Sequence, residues 1–284
     1  MNNFTKRTLT GAGFVSVLIA GLVFHPLFFY FIFALIIMLG LWEFYGLGKY
    51  SKIEPQKFSG MFLGLLIFTA SFLNAANVID TIVFILIVPV VVLISMIELY
   101  RRTPKPLENI AFTLFGIIWI AVPFSMFNYL AFFKLHNTEL LNNIFDIGKF
   151  FDHKLILAFF LLLWSNDTFA YITGVSIGKR RLFERISPKK SWEGFFGGLI
   201  MTVVISLVLS KYFDFYSMQD AVIIAIIVSV FGTFGDLMES MYKRSIGIKD
   251  SGHILPGHGG ILDRFDAVFL ALPMVFVYII LFAK

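Results

Sequence analysis

The sequence predicts an all-α polytopic membrane protein, a helical bundle with about nine transmembrane helices and a cytoplasmic N-terminus. The 284 residues are 58% hydrophobic and only 14% charged. Their mean hydropathy of +0.86 exceeds that of a soluble domain. The distribution of Lys and Arg among the connecting segments then sets the orientation.

Nine apolar stretches are each about as long as the 17 to 25 residues that a helix needs to cross roughly 30 Å of hydrocarbon. They cover residues 8–25, 27–47, 58–75, 79–97, 110–133, 155–177, 192–210, 220–238 and 261–282. Lys6 and Arg7 precede the first stretch, as in a signal peptide, but no small-residue cleavage site follows. We therefore predict an uncleaved first helix.

The positive residues support this topology. With the N-terminus inside, the Lys and Arg residues outside the cytoplasm are Lys134, Lys149, Lys154, Lys211 and Lys284, out of 23 in the chain. The pattern predicts a multi-pass protein of the cell membrane with its polar site facing the cytoplasm. The net charge of +5 is then an orientation signal and an attraction to anionic lipid, and we expect no nucleic-acid partner.

Three regions follow from the positions of the polar residues. Residues 1–134 hold the first five helices, 135–154 form an extracytoplasmic loop, and 155–284 form the catalytic region with helices six to nine and their cytoplasmic loops. In the first region Glu43 and Glu98 lie at helix ends, and the sequence indicates no role for its five helices.

Carboxylates enter the predicted spans of the last region. Asp167 lies in the middle of one span, where a charge costs about 2.5 to 3.5 kcal/mol. Asp236 and Glu239 share a helix face near the cytoplasmic end of helix eight, and Asp263 and Asp266 repeat the spacing at the start of helix nine. Such carboxylates repel one another unless cations lie among them, and oxygen ligands suit Mg²⁺, with room for a second cation. The alternative is ion pairing with Lys243, Arg244 and Arg264.

Two basic loops lie on the same predicted side. The first, residues 178–194, brings Ser187, Lys189 and Lys190 directly before helix seven. Hydroxyls, lysines and free backbone N–H groups at a helix start form an anion site, and the alternative is a positive-inside loop with a proline turn.

The second loop, Lys243 to Gly260, has ionisable side chains and glycines that let a ligand approach the backbone. His253 and His258 lack the spacing of a helical zinc pair. We predict that His258 donates to a phosphate or orients a neighbouring group, and the alternative is an ordinary loop histidine.

The stretch Ser240–Asp266, SMYKRSIGIKDSGHILPGHGGILDRFD, resembles the C-terminal motif of the phosphatidate cytidylyltransferases, the CDP-diacylglycerol synthases. That motif has Ser, Lys-Arg, Lys-Asp, His-Gly-Gly and Asp-Arg-x-Asp at these intervals. The blocks SNDTFAY, SPKKSWEG and GDLMES also look like the family's. Tyr242 departs from the pattern, which usually has an aliphatic residue or Phe there. The motifs cover roughly the last 130 residues.

The resemblance implies transfer of the cytidylyl group of CTP to phosphatidate, with Mg²⁺ as cofactor, in phospholipid biosynthesis. It implies Asp236 and Asp263 as leading metal ligands, with Asp167, Glu239 and Asp266 as further candidates. It implies a CTP-phosphate site at Ser187, Lys189, Lys190, Gly259 and Gly260. The remaining implied catalytic residues are Lys243, Arg244, Lys249, Asp250, His258 and Arg264.

The implied partners are CTP, phosphatidate and the lipid bilayer, and the family resemblance makes a homodimer reasonable. A GxxxG pair, Gly194 and Gly198, would permit close packing in a dimer, although packing between helices of one chain uses the same motif.

Other functions remain open. A polyprenol kinase or a CDP-ether-lipid synthase would share the membrane core, but the HGGILDRFD block favours the diacylglycerol enzyme. A cation-coupled transporter would use the buried acids as an ion path. Against a transporter, the acids cluster near one end of the spans, and no inverted repeat is visible.

Overall fold

The computed structural model describes residues 3–133, 148, 150–212, 217–252 and 259–283, with side chains from residue 11 onward. The described residues are mainly α-helical. The α-helices are α1 (Asn3–Val23), α2 (Pro26–Leu47), α3 (Lys57–Ala75), α4 (Ile87–Arg101), α5 (Pro106–Gly116), α6 (Val122–Ala131), α7 (Lys154–Ile177), α8 (Trp192–Tyr212), α9 (Met218–Ser245), α10 (Leu262–Phe265) and α11 (Val268–Leu281). Two short 3₁₀ helices, Gly48–Ser51 and Thr81–Leu86, a π-helical turn, Ile117–Ala121, and two strands, β1 (Arg181–Phe183) and β2 (Ser187–Ser191), complete the elements.

Eight helical segments of the described chain are long and apolar enough to cross a membrane. They are Pro26–Ser51, Lys57–Ala75, Thr81–Arg101, Pro106–Ala131, Lys154–Ile177, Trp192–Tyr212, Met218–Ser245 and Leu262–Leu281. A shorter apolar segment, Gly11–Val23 in α1, lies where the first of the nine spans is predicted. The predicted all-α polytopic membrane fold is confirmed, while the cytoplasmic location of the N-terminus stays a prediction.

The chain forms two compact units. Unit 1 comprises Met1–His153 and Asp250–Arg264, and unit 2 comprises Lys154–Lys249 and Phe265–Lys284. The chain therefore enters unit 2 twice, the second time within the LDRFD sequence.

Phenylalanine side chains form the core of unit 1, in which α2 packs against α1, α3 and α5. Phe29 and Phe33 of α2 are fully buried, and the rings of Phe33 and Phe127 meet edge to face with centroids 5.3 Å apart. Phe28 and Phe31, on the other face of α2, are 60% and 65% exposed. Residues 28–33, FFYFIF, thus supply both a core face and an apolar surface that suits lipid.

In unit 2, α7 packs against α8 and α9, and α9 packs against α8 and α11. A capping box starts α9: Ser217 Oγ accepts the N–H of Asp220, and the Asp220 carboxylate accepts the N–H of Ser217, both at 3.2 Å. Tyr278 Oη of α11 donates to Asp220 Oδ1 at 2.6 Å. These contacts fix the start of α9, the helix that carries Asp236 and Glu239.

Glycines bring α7 and α8 into backbone contact. A Cβ atom added to Gly198 would lie 2.8 Å from the carbonyl oxygen of Asn166, and one added to Gly194 would lie 2.7 Å from that of Ala170. Both glycines are buried. The GxxxG pair is therefore used within the chain, which is the alternative that the sequence left open, and it lends no support to the predicted homodimer.

The first basic loop contains a β-hairpin that the sequence analysis did not predict. β1 and β2 pair antiparallel, with Arg181 opposite Ser191 and Phe183 opposite Ser187. Ser191 Oγ then accepts the N–H of Gly194 at 3.1 Å and caps the start of α8. The strand thus leads directly into the helix.

We predict that Gly198→Ala destabilises the protein by about 1 to 3 kcal/mol, because the new methyl group overlaps the α7 backbone. The control is Gly46→Ala, in the last turn of α2, where an added Cβ has no atom within 4 Å. That change should be neutral or stabilise by up to about 1 kcal/mol through helix propensity. Thermal unfolding in detergent measures both, and equal shifts would contradict the close α7–α8 contact.

Candidate functional site

Unit 2 brings four of the predicted acids together. Asp167 belongs to α7, Asp236 and Glu239 to α9, and Asp266 follows α10. Asp266 interacts electrostatically with the other three carboxylates, and Asp167 interacts with Asp236. We call these four residues the carboxylate cluster. The structure therefore gathers acids that are separated by 99 positions in the sequence.

Two lysines pair with two of the four carboxylates of the cluster, Asp236 and Glu239. Lys190 Nζ lies 2.5 Å from Asp236 Oδ2, and Lys243 Nζ donates to Glu239 Oε2 at 3.1 Å. Glu239 and Lys243 are only 5% and 8% exposed, so their pair is buried. Ser240 Oγ also donates to Asp236 Oδ1 at 3.2 Å. Ion pairing with Lys243, the alternative to metal binding in the sequence analysis, is thus present at Glu239.

A glycine permits the approach of α9 to Asp266. A Cβ atom on Gly235 would lie 2.5 Å from the carbonyl oxygen of Asp266 and 3.1 Å from Cα of Ala267. Asp266 Oδ1 accepts the N–H of Ala267 at 2.7 Å, which fixes its side chain where the helix is interrupted. The glycine of the FGDLMES block therefore helps to place Asp236 near Asp266.

The β2 strand orients the basic residues before α8. Neighbouring strand residues point to opposite faces, and Lys189 is exposed whereas Lys190 is half-buried and paired with Asp236. Ser187 is half-buried. Of Ser187, Lys189 and Lys190, only Lys190 contacts the carboxylate cluster within the described part of the chain. Lys189 is exposed and accessible to a ligand from solution.

The end of α9 and the residues after it add positive charge to unit 2. Arg244 and Lys249 are exposed, and Arg244 donates to the carbonyl oxygen of Ile248 at 3.1 Å. Gly247 has a φ of +74°, which turns the chain after the helix.

In unit 1, Asp263 accepts hydrogen bonds from backbone groups of the glycine-rich segment of the motif. Its carboxylate accepts the N–H groups of Ser251 and Gly260, at 3.1 and 2.8 Å from Oδ2. Gly259 has a φ of +83°, a conformation that glycine adopts without strain. Asp250 and Arg264 are exposed. His258 lies outside the described residues, so its predicted role stays a prediction.

Glu43 of α2 contacts this same motif in unit 1, although the sequence analysis gave it no role. Its Oε2 accepts the N–H of Leu262 at 3.1 Å, and Glu43 is only 6% exposed. Gly252 and Gly260 pack so closely on its carboxylate that an added Cβ would overlap it. The available signal was an acid inside an apolar span with no Lys or Arg within four positions.

Glu98, the other acid named in the first region, is held in a hydrogen-bond network. Its carboxylate accepts hydrogen bonds from Gln56, Arg101, Thr103 and Asn109 at 2.6 to 2.8 Å. This network satisfies a side chain that is 3% exposed.

The donor chemistry of the carboxylate cluster fits a hard cation. Within the described part of the chain, no three Asp, Glu or His side chains converge closely enough to enclose an ion. Magnesium sites for nucleotides commonly use one or two carboxylates and complete the coordination with substrate phosphates and water. Asp236, which is half-buried and lies near Asp167, offers such a partial ligand set.

Comparisons with known proteins identify relatives of the chain. The model of the cytidylyltransferase family matches residues 5–282. A phosphatidate cytidylyltransferase of Staphylococcus saprophyticus is 51% identical over 126 residues, which cover 44% of this chain and 48% of the relative. Proteins of the same name from Staphylococcus epidermidis and Staphylococcus aureus are each 46% identical, over 128 and 127 residues, or 45% and 44% of this chain and 49% and 48% of the relatives. The chain spans about half the length of each of these curated relatives.

We predict that Glu43→Ala lowers the free energy of unfolding by about 2 to 4 kcal/mol, because the buried N–H of Leu262 loses its acceptor and a cavity opens. Glu43→Gln retains an acceptor oxygen and should cost less. The exposed Glu54 supplies the control, Glu54→Ala, with an expected change within about 0.5 kcal/mol. Denaturant unfolding measures all three. Equal stability of Glu43→Ala and Glu54→Ala would refute the conclusion that the Glu43 contacts stabilise the motif.

Proposed function

Because the chain belongs to the cytidylyltransferase family, we propose that it transfers the cytidylyl group of CTP to phosphatidate, giving CDP-diacylglycerol and pyrophosphate for phospholipid biosynthesis. The relatives' names and the Ser240–Asp266 motif support phosphatidate as the acceptor. The observation that carries the proposal is the carboxylate cluster with its two lysines, held in helices that are apolar enough to cross a membrane.

The reaction requires one in-line displacement. An oxygen of the lipid phosphate forms a bond to the α-phosphorus of CTP, while the bond from that phosphorus to the oxygen bridging to the β-phosphate breaks. The electron pair of the broken bond leaves with pyrophosphate. No nucleophile from the protein is needed, so positioning and charge compensation are the chain's contribution.

We propose that Ser187, Lys189 and Lys190 bind the CTP phosphates, together with the backbone of Gly259 and Gly260. Lys189 is exposed and would contact the nucleotide as it binds from solution. Lys190 instead forms an ion pair with Asp236 of the carboxylate cluster. Phosphate groups are favourable ligands for such lysines and for backbone N–H groups. Lys243, Arg244, Lys249, Asp250, His258 and Arg264 would form the remaining polar pocket.

Asp236 and Asp263 are the proposed Mg²⁺ ligands, and Asp167, Glu239 and Asp266 are candidates to bind or orient this ion or a second cation. When bound, Mg²⁺ would compensate the negative charge of the triphosphate. The hydrogen bonds from Ser251 and Gly260 hold the Asp263 side chain in one orientation. The Lys190 and Ser240 contacts do the same for Asp236.

We further propose that the protein acts in the cell membrane, with the polar site facing the cytoplasm, and that phosphatidate enters from that leaflet. Its acyl chains would stay in lipid while its headgroup reaches the basic residues. A homodimer remains part of the proposal on family resemblance alone.

The direct test is pyrophosphate release by purified protein supplied with CTP, phosphatidate and Mg²⁺. Reactions with ATP, with a polyprenol acceptor and without metal serve as controls. We expect release only when CTP, phosphatidate and metal are all present. Pyrophosphate release with an ether lipid in place of phosphatidate would favour a CDP-ether-lipid synthase, and formation of CDP with the polyprenol would favour a polyprenol kinase. A folded sample that is inactive with every acceptor would favour transport.

We predict that Asp263→Asn lowers turnover by about 100-fold or more, because the position loses the charge needed to bind metal. Asparagine retains one acceptor oxygen for the N–H of Gly260, so the melting temperature should stay near that of the parent. Asp263→Ala, which removes both acceptors, should also destabilise the segment. Pyrophosphate release and thermal unfolding separate the two effects, and an active Asp263→Asn variant would remove Asp263 from the site.

We predict that Lys189→Ala raises the KM for CTP by about tenfold, since an exposed cation near the phosphates is lost. Arg185→Ala is the matched control, because Arg185 is an exposed cation in the turn of the same hairpin. Steady-state kinetics with varied CTP measures both variants. Equal effects would mean that the hairpin contributes general positive charge rather than a CTP contact.

A further inference from the structure

Unit 1 contains a cavity of about 730 Å³ that the proposed reaction does not use. It lies where three apolar spans end: the last turns of Pro26–Ser51, the first turn of Lys57–Ala75 and the last turn of Thr81–Arg101. None of its lining residues belongs to the candidate site. The cavity therefore needs an explanation of its own.

The lining carries an excess of positive charge. Lys49, Lys52 and Lys57 line the cavity, and none of them forms an ion pair within the described residues. Arg101 is already compensated by Glu98 at 2.7 Å. Glu54 is the one carboxylate in the described lining. Three lysines facing one carboxylate favour an anionic ligand.

Exposed aromatic side chains next to the lining residues are of the kind found at a membrane surface. Trp42, Tyr50 and Tyr100 are 46%, 50% and 82% exposed, and Trp and Tyr concentrate where bilayer meets water. Lys57 Nζ lies 5.1 Å from the Trp42 ring centroid, and Lys49 Nζ lies 4.9 Å from that of Tyr50. These contacts favour a position of Lys49 and Lys57 at the level of lipid headgroups.

The start of α3 adds backbone donors to the lining. The helix begins at Lys57 without a side-chain cap, and its first turn, Lys57 to Ser59, lines the cavity. The N–H of Lys57 donates to the carbonyl oxygen of Pro55 at 3.0 Å, whereas those of Phe58 and Ser59 have no acceptor within the described residues. N–H groups of this kind at a helix start favour phosphate. The Gln56 amide is not open to a ligand, because its Oε1 is buried and its Nε2 donates to the carbonyl oxygen of Ile94 and to Glu98 Oε2, both at 2.8 Å.

We propose that this cavity binds the headgroup of an anionic phospholipid, for which phosphatidylglycerol serves as the probe. The phosphate meets Lys49, Lys52 and Lys57. Exposed Phe58, which also lines the cavity, contacts the glycerol backbone and the first acyl carbons. This site goes beyond the proposed reaction, because none of its residues is needed for cytidylyl transfer.

The test is lipid binding to the purified full chain in a neutral detergent, measured by native mass spectrometry during titration with phosphatidylglycerol. The test variant is Lys49→Gln/Lys52→Gln. The control variant is Arg102→Gln/Lys105→Gln, whose positions lie outside the lining. Each pair removes two positive charges, and each contains one residue of positive φ, Lys52 at 55° and Arg102 at 51°. The two variants are therefore matched in charge and in backbone strain.

We expect phosphatidylglycerol to bind the test variant about tenfold or more weakly than the control variant, since each lysine at a membrane surface contributes to anion attraction. Phosphatidylcholine with the same acyl chains should bind weakly to every form. Equal affinity of the two variants for phosphatidylglycerol, or equal binding of phosphatidylcholine, overturns the proposal. Displacement of the lipid by glycerol 3-phosphate at equal concentration also overturns it, because the ligand would then be a soluble phosphate.

Discussion

The arrangement of unit 2 depends on compensating several carboxylates inside apolar helices. An unpaired charge in a span costs about 2.5 to 3.5 kcal/mol, and neighbouring carboxylates add mutual repulsion. Lys190 pairs with Asp236 and Lys243 pairs with Glu239. Breaking a buried pair leaves one charge uncompensated, which is more costly than never placing the pair there. These two lysines reduce the repulsion within the cluster, and a reaction that joins two phosphate-bearing substrates needs the same kind of compensation.

Close backbone contact makes this charge arrangement geometrically feasible. Gly235 lets α9 approach Asp266, and Gly198 lets α8 approach the α7 backbone next to Asp167. In unit 1, Gly252 and Gly260 fit around the Glu43 carboxylate in a similar way. Small residues favour such approaches in membrane proteins because the interaction energy comes from packing rather than from the hydrophobic effect. The glycines of the sequence blocks therefore act through helix packing as well as through loop conformation.

The sequence predicts the helices well because each apolar stretch is a local signal. The structure places α7 at Lys154–Ile177, against a predicted span of 155–177. The helix α9 extends to Ser245, past the predicted 238, because its polar last turns are held by pairs such as Glu239 with Lys243 rather than by apolar surface. The role of Glu43 was missed because its partner, Leu262, lies 219 positions away. The hairpin was missed because its strands are short and lack an alternating apolar pattern.

The most direct test of the proposed chemistry follows the two ends of the CTP triphosphate separately. Purified protein is incubated with phosphatidate, Mg²⁺ and CTP labelled at either the α- or the γ-phosphorus, and the chloroform-soluble lipid is then counted. Cytidylyl transfer predicts that the α-label enters the lipid while the γ-label stays in water as pyrophosphate. Entry of the γ-label into lipid would contradict the account, because it would show phosphoryl transfer by a kinase.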